Sequence, residues 1–123
     1  MSRVDDTRGT PVNANTRTAR RTLRDRTRTH RAAAKIRRTG VGTLTTHCVA
    51  AGLPVREART VAGSLRKNAV KANATGTPGV SYTHGRARAC TRYTAAEVAR
   101  IAVVYRPRKP QFKIAAARLA LAA

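Results

Sequence analysis

The clearest hydrophobic pattern in the chain falls in its middle, between residues 54 and 70. Apolar residues recur there at spacings of three and four, which places them on one face of an α-helix. These residues are Ala58, Val61, Ala62, Leu65 and Ala69. Pro54 suits the first turn, because its missing N–H would have no helical partner there. The pattern predicts an amphipathic helix over residues 54–70 with a polar outer face.

Two shorter helical segments precede this helix. Residues 32–37 consist mostly of good helix formers, and Gly40 is a residue type that commonly follows a helix end. After residues 41–45, a second short segment runs through Cys48 to residue 51, and Gly52 interrupts it. Because glycine tolerates positive φ, Gly52 can form a tight turn. The pattern therefore predicts a short helix and a tight turn ahead of Pro54.

Residues 80–93 have the alternation of β-strands. Residues 80–83 and 86–93 each alternate between two faces, with His84 and Gly85 between the two runs. This arrangement predicts a two-stranded hairpin with its arginines on one face. Thr94 and Glu97 then form a Thr-x-x-Glu capping box that opens a further helix, and residues 112–121 predict a short last helix. The predicted fold class is mainly α with a small β-hairpin, an α+β arrangement.

Residues 1–30 lack such periodicity. They contain few sizeable apolar side chains, so burial cannot offset the entropy that is lost on ordering. We therefore expect residues 1–30 to form a disordered basic arm, residues 31–106 to form one domain, and residues 107–123 to form a C-terminal helical extension.

The charge of the chain indicates its class of partner. The formal net charge is +21 with a pI of about 12.0, and nearly half of the Lys and Arg residues fall in residues 1–40. Because each cation placed on a phosphate releases a condensed counterion, nucleic acid is the expected partner. No apolar run approaches the roughly 20 residues that span a bilayer, and no secretory signal is visible. The two cysteines do not make a disulfide framework, so we expect a cytoplasmic, nucleoid-associated protein with reduced thiols.

The order of helix, short helix, glycine turn, helix and basic hairpin resembles a winged helix-turn-helix domain. The resemblance covers residues 31–105 and is architectural rather than tied to one family. Cys48 lies where the pattern has a small residue between the helices, and Gly52 lies at its turn. Positions expected to be buried hold Leu53, Ala58 and Val61. His47 departs from the pattern, which prefers an apolar residue. The resemblance implies that the amino-terminal half of residues 54–70 enters a DNA major groove, which admits an α-helix.

The candidate DNA contacts are basic or hydroxyl side chains on these elements. Arginine can bond guanine O6 and N7 as a fork, and cations farther along the helix are expected on phosphates. The base-reading candidates are Arg56, Arg59 and Thr60, and the phosphate candidates on the same helix are Arg66 and Lys67. The hairpin candidates for phosphate or minor-groove contact are Arg86, Arg88 and Arg92, and those of the arm are Arg17, Arg20, Arg21 and Arg24.

Other kinds of site find less support in the sequence. His47 and Cys48 are adjacent and no Cys-x-x-Cys pair exists, which argues against a zinc site. The 5 acidic residues and the lack of a phosphate-binding loop or nucleophile motif argue against an enzyme and against a cofactor. The few aromatic residues disfavour a platform for stacking single-stranded bases. Tyr82 and Tyr93 are expected to pack between the hairpin and the helices.

These observations favour a sequence-specific protein that binds double-stranded DNA, a repressor-like transcriptional regulator from a phage or mobile element. Three alternatives stay open: an architectural nucleoid protein that coats DNA, a ribosome- or RNA-associated basic protein, and an inhibitor that binds an acidic enzyme surface. Residues 114–121 can pack on the domain or on a second copy, so a homodimer also stays open. None of these interpretations involves a membrane.

Overall fold

The computed structural model describes residues 14–122, which form five helices and a two-stranded antiparallel sheet. The elements in chain order are α1 (Ala14–Thr39), α2 (Leu44–Ala50), α3 (Val55–Lys71), β1 (Thr77–Thr83), β2 (Arg86–Arg92), α4 (Ala95–Val104) and α5 (Pro110–Leu121). The predicted fold class, mainly α with a small β-hairpin, is confirmed. Among the described helices, none has the length and the apolar character that crossing a bilayer requires.

The core is formed by side chains from α2, α3, α4 and α5. Its largest fully buried side chains are Leu65, Ile101, Val61, Val98 and Cys48. The apolar face that the sequence predicts for α3 is buried from Ala58 to Ala69. The side chains that α5 buries are Phe112, Ala115, Ala116 and Leu119. With one face of α3 committed to this core, its polar residues face outward.

The turn between α2 and α3 has the glycine conformation that the sequence predicts. Gly52 has a φ of 108°, which residues with a side chain rarely adopt. Leu53 follows it and is buried in the core. From α5, Arg118 Nη1 donates to the carbonyl oxygen of Ala51 at 2.9 Å, and a Cβ on Gly52 would lie 2.7 Å from that nitrogen. The positive φ is therefore the reason for glycine at this turn, and the Arg118 hydrogen bond joins the turn to α5.

The hairpin is attached to the helices at its base. Its strands pair along their full length, and His84 and Gly85 join them with φ values of 53° and 75°, as a two-residue type I′ turn requires. Tyr93 follows β2 and forms an isolated β-bridge with Gly42. The two backbone hydrogen bonds of this bridge measure 2.7 and 3.0 Å. They join the end of the hairpin to the loop between α1 and α2.

The capping box predicted at the start of α4 is present and also holds the hairpin. Thr94 Oγ1 accepts from the Glu97 N–H at 3.2 Å, and Glu97 Oε1 accepts from the Thr94 N–H at 2.9 Å. Glu97 Oε2 in addition accepts from the Gly76 N–H at 3.1 Å. Gly76 lies just before β1, so the carboxylate ties the start of α4 to the start of the hairpin.

Residues 14–30 are helical, which differs from the disordered arm expected there. α1 begins at Ala14 and continues without interruption to Thr39. Although residues 14–30 bury little apolar surface, their Ala and Arg residues are among the best helix formers. The far end of the helix is also anchored, because α1 packs against α2 and Ala32 contacts the core. Residues 1–13 of the expected arm lie outside the described residues.

Tyr82 is exposed, so the expectation that it packs against the helices is wrong, whereas Tyr93 is buried as expected. The exposed fraction is 78% for Tyr82 and 6% for Tyr93. Tyr82 lies opposite Ala87 in the strand register and shares its face of the hairpin with Val80, which is also exposed. Successive side chains of a strand point to opposite faces. The side chains therefore alternate as the sequence predicts, but which face points inward depends on how the hairpin sits on the helices.

Candidate nucleic-acid interface

The α3 residues that the sequence proposes as DNA contacts share one exposed surface, which we call the α3 outer face. It consists of Arg56, Arg59, Thr60, Arg66 and Lys67. All of these residues are exposed, and they lie opposite the buried stripe of the same helix. The Thr60 hydroxyl donates weakly to the Arg56 carbonyl oxygen at 3.4 Å. The remaining polar groups of this face are arginine and lysine donors, which suit anionic or acceptor-rich partners.

The hairpin stands beside this face, with a groove between them. The groove has a volume of about 570 Å³ and is lined by Arg66 of α3 and by Ser81, Arg88 and Cys90 of the hairpin. Thr43 and Thr45, at the start of α2, also line it. The structure therefore brings Arg66 and Arg88 to one groove, although they are far apart in the sequence. Two cations on one concave surface attract an anionic strand more strongly than either cation alone.

Arg92 has a different setting from the other hairpin arginines. Its Nη2 donates to the Val80 carbonyl oxygen at 3.0 Å, and its guanidinium lies across Gly79. A Cβ on Gly79 would approach Arg92 Nη1 to 2.5 Å. Arg92 therefore braces its own hairpin with part of its guanidinium, whereas Arg86 and Arg88 are exposed. It also lines a second groove of about 420 Å³ with Lys35 and Thr39 of α1.

Basic residues of α1 form a stripe along one face of the helix, which we call the α1 stripe. Residues at spacings of three, four and seven share a face. The α1 stripe consists of Arg17, Arg20, Arg21, Arg24, Arg28, Arg31 and Lys35, all of them exposed. Arg28 also lies 3.9 Å from Asp25, a surface ion pair of small energetic weight. The sequence-predicted contacts Arg17, Arg20, Arg21 and Arg24 therefore lie on a helical surface.

The α1 stripe runs toward the α3 side of the molecule. Arg28, Arg31 and Lys35 line a groove of about 300 Å³ together with Thr45 of α2 and Val55 at the first turn of α3. These three cations are absent from the sequence-predicted set, because the sequence pattern predicts an arm up to residue 30 and a separate helical segment after it. Extending the helical spacing through Arg31 would have found them.

His47 is a structural residue of the core. It is 4% exposed, and its Nε2 lies 2.7 Å from the Tyr93 carbonyl oxygen. Burial lowers the pKa of His47, although the hydrogen bond to Tyr93 opposes the change. The imidazole is therefore neutral at physiological pH and donates from Nε2. This contact accounts for a polar residue at a position where the helix-turn-helix pattern prefers an apolar one.

The cysteines and other potential metal ligands are dispersed. Cys48 is fully buried, and burial raises the pKa of its thiol to about 12, so it is an inert core residue as expected. Cys90 is free and half-buried on the hairpin. Within residues 14–122, no three His, Cys, Asp or Glu side chains lie close enough together to hold a metal ion.

No protein-family model matches the chain, and no curated protein or solved structure shows significant similarity to it.

Proposed function

We propose that the protein binds double-stranded DNA at a particular base sequence and regulates transcription by occupying that site. The observation that carries this proposal is the α3 outer face, a row of cations on a helix whose other face is buried, beside a groove shared with Arg88 of the hairpin. A winged helix-turn-helix domain presents a helix and a hairpin to DNA in the same way. The resemblance noted in the sequence therefore supports the proposal.

The proposed mechanism divides the cations by position. The amino-terminal half of α3 enters the major groove, where Arg56 and Arg59 bond base edges. Arg66 and Arg88, on either side of the hairpin groove, contact the phosphate backbone. The α1 stripe adds phosphate contacts that raise affinity and speed the search without reading sequence. Bound in this way, the protein acts as a repressor at the nucleoid in the cytoplasm, in keeping with a phage or mobile-element origin.

The exposure of the aromatic residues favours a duplex over single-stranded nucleic acid. Tyr93, Tyr105 and Phe112 are buried, whereas Tyr82 is exposed. A platform that stacks successive unpaired bases needs several exposed aromatic side chains. An α-helix with basic side chains instead fits the B-form major groove, which the deep and narrow major groove of A-form RNA does not match.

A second candidate is an architectural protein that coats DNA without reading its sequence. The α1 stripe favours it, because this long row of cations offers contacts to phosphates that every sequence shares. In that case α3 would contribute charge rather than recognition. The two candidates differ in the ratio of affinities for chosen and random duplexes.

Selection of bound fragments from a pool of random duplexes, with a structured RNA as competitor, tests the proposal. We expect an enriched motif that the protein binds at least a hundredfold more tightly than random duplex, in keeping with specific binding. Uniform recovery of all sequences would favour the architectural protein. Displacement of the duplexes by the RNA competitor would favour an RNA-associated protein. A palindromic motif would indicate two copies on the DNA, a state for which the exposed Ile114 and Leu121 of α5 offer an apolar contact.

A further inference from the structure

Gly63 is a glycine that the protein's own packing does not explain. Among the described residues, the glycines with positive φ are Gly40, Gly52, Gly76 and Gly85. A Cβ on Gly42 or Gly79 would lie within 3.3 Å of a neighbouring atom. A Cβ on Gly63 would meet nothing within 4 Å, and its φ lies outside the positive range. No conformational or steric feature of the described residues therefore requires glycine there.

The position of Gly63 makes a missing side chain unfavourable for the stability of the helix. It lies in the interior of α3, which runs from Val55 to Lys71. Glycine in a helix interior is destabilising relative to alanine, since it loses more conformational freedom on folding. The helix would accept alanine at this position without a clash. The glycine therefore lowers the intrinsic stability of α3, and no packing contact among residues 14–122 requires it.

Gly63 lies at the centre of the α3 outer face. Residues three and four apart are neighbours on a helix surface. Arg59 and Thr60 therefore lie one turn before Gly63, and Arg66 and Lys67 lie one turn after it. The result is a bare patch of helix backbone surrounded by three cations and a hydroxyl. A partner that these cations attract can approach the helix most closely at that patch.

We propose that Gly63 is the point at which α3 comes closest to the floor of the DNA major groove, so that base edges pack on the bare backbone. This inference rests on the proposed function and adds a position that determines specificity. Because Gly63 has no side chain to hold the helix away from the DNA, Arg59 can reach a base edge on one side of it and Arg66 can reach a phosphate on the other. The base edge opposite Gly63 contributes by contact and shape, as the thymine methyl group does with small residues.

Replacing Gly63 with alanine and with leucine tests the inference, because stability and binding should change in opposite directions. We expect Gly63→Ala to raise the melting temperature by about 2–6 °C. We expect Gly63→Leu to weaken binding to the selected duplex by about tenfold or more, since a bulky side chain forces the helix away. Binding to random duplex at low salt should change less than about twofold, because phosphate attraction is retained. Ala117→Leu, at an exposed position of α5, is the matched control and should leave both affinities unchanged.

The outcomes separate this inference from the proposed function. If the wild-type protein has no preferred duplex, the proposed sequence-specific function fails and this inference fails with it. If the wild-type protein has one and Arg59→Ala weakens its binding, but Gly63→Leu binds as tightly as wild type, the inference alone is overturned. Equal weakening by Ala117→Leu would also overturn it. A loss of self-association in Gly63→Leu with unchanged DNA affinity would instead assign the patch to a contact between two copies.

Discussion

His47 Nε2 lies 2.7 Å from the Tyr93 carbonyl oxygen, so a buried side chain of α2 holds the end of the hairpin. The same oxygen accepts from the Gly42 N–H at 3.0 Å. Tyr93 thereby links the hairpin to α2 and to the loop that precedes it. The position of Arg88 relative to α3 depends on this attachment, since the hairpin forms one wall of their shared groove.

The stability of the protein should decrease as the pH falls through the range in which His47 takes up a proton. Burial lowers the pKa of His47 in the folded state below the ordinary value of 6.5. Between those two pKa values the unfolded chain binds the proton and the folded chain does not, so stability rises with pH. We expect the urea midpoint to be constant above about pH 7 and to decrease below pH 6.5.

The control for this prediction is His47→Gln, whose amide can donate to Tyr93 but does not titrate. Its stability should be lower than that of the wild type and nearly constant between about pH 5 and 8. His30 and His84 remain in both proteins, so their effects cancel in the comparison. A decrease of the same size in His47→Gln would show that another group is responsible.

Loss of the Glu97 carboxylate should destabilise the protein and loosen the start of the hairpin. The hydrogen bond from the Thr94 N–H is the main cause that lowers the pKa of Glu97 below the ordinary 4.5, and the N–H of Gly76 acts in the same direction. Glu97→Ala should lower the free energy of unfolding by about 1 kcal/mol at neutral pH, the usual effect of a lost cap. This contribution is present above pH 4.5 and is lost as the pH falls below that value.

Urea unfolding and amide exchange check the role of Glu97. The Gly76 amide should exchange faster in Glu97→Ala, because its acceptor is gone. Glu97→Gln keeps one acceptor oxygen and should give a smaller loss of stability. Unchanged exchange at Gly76 would mean that the carboxylate caps α4 without holding the hairpin.

Arg59→Ala should reduce specific DNA binding more than non-specific binding. Arg59 lies on the α3 outer face, at the end of the helix proposed to enter the major groove. Loss of a base-reading arginine should cost about 1–3 kcal/mol on the selected duplex and relax the preference at one base position. Arg108→Ala removes an exposed charge between α4 and α5 and is the control. Equal losses on selected and random duplexes would contradict a base-reading role.

Neutralising the α1 stripe should reduce the salt dependence of binding. The double variant Arg21→Gln/Arg24→Gln removes two cations of the α1 stripe, and glutamine favours a helix about as well as arginine does. The slope of log affinity against log salt should decrease by about two if both arginines meet phosphates. Arg26 and Arg37 lie on the opposite side of α1, so Arg26→Gln/Arg37→Gln should leave the slope nearly unchanged. If the two double variants had equal slopes, the α1 stripe would not be part of the interface. The salt dependence would then reflect the total charge of the protein.

The sequence correctly predicted those features that depend on neighbouring residues. The buried face of α3 follows from spacing alone, and the turn at His84 and Gly85 needs backbone conformations that its residues readily adopt. The capping box of Thr94 and Glu97 is closed by hydrogen bonds within one turn. The described helix α1 extends across residue 30, where the sequence pattern places the end of the arm, because helix propensity and an anchored end act against the lack of buried apolar surface.

By itself, therefore, the sequence determined the net charge, the amphipathic α3 with its outward cations, and the existence of a hairpin. The tertiary structure decided which hairpin face turns inward, and with it the exposure of Tyr82, the bracing role of Arg92 and the meeting of Arg66 with Arg88. The physical reason is the distance along the sequence over which each interaction acts. Spacing and capping act within a few residues, whereas the His47–Tyr93 contact joins positions 46 residues apart and requires the folded chain.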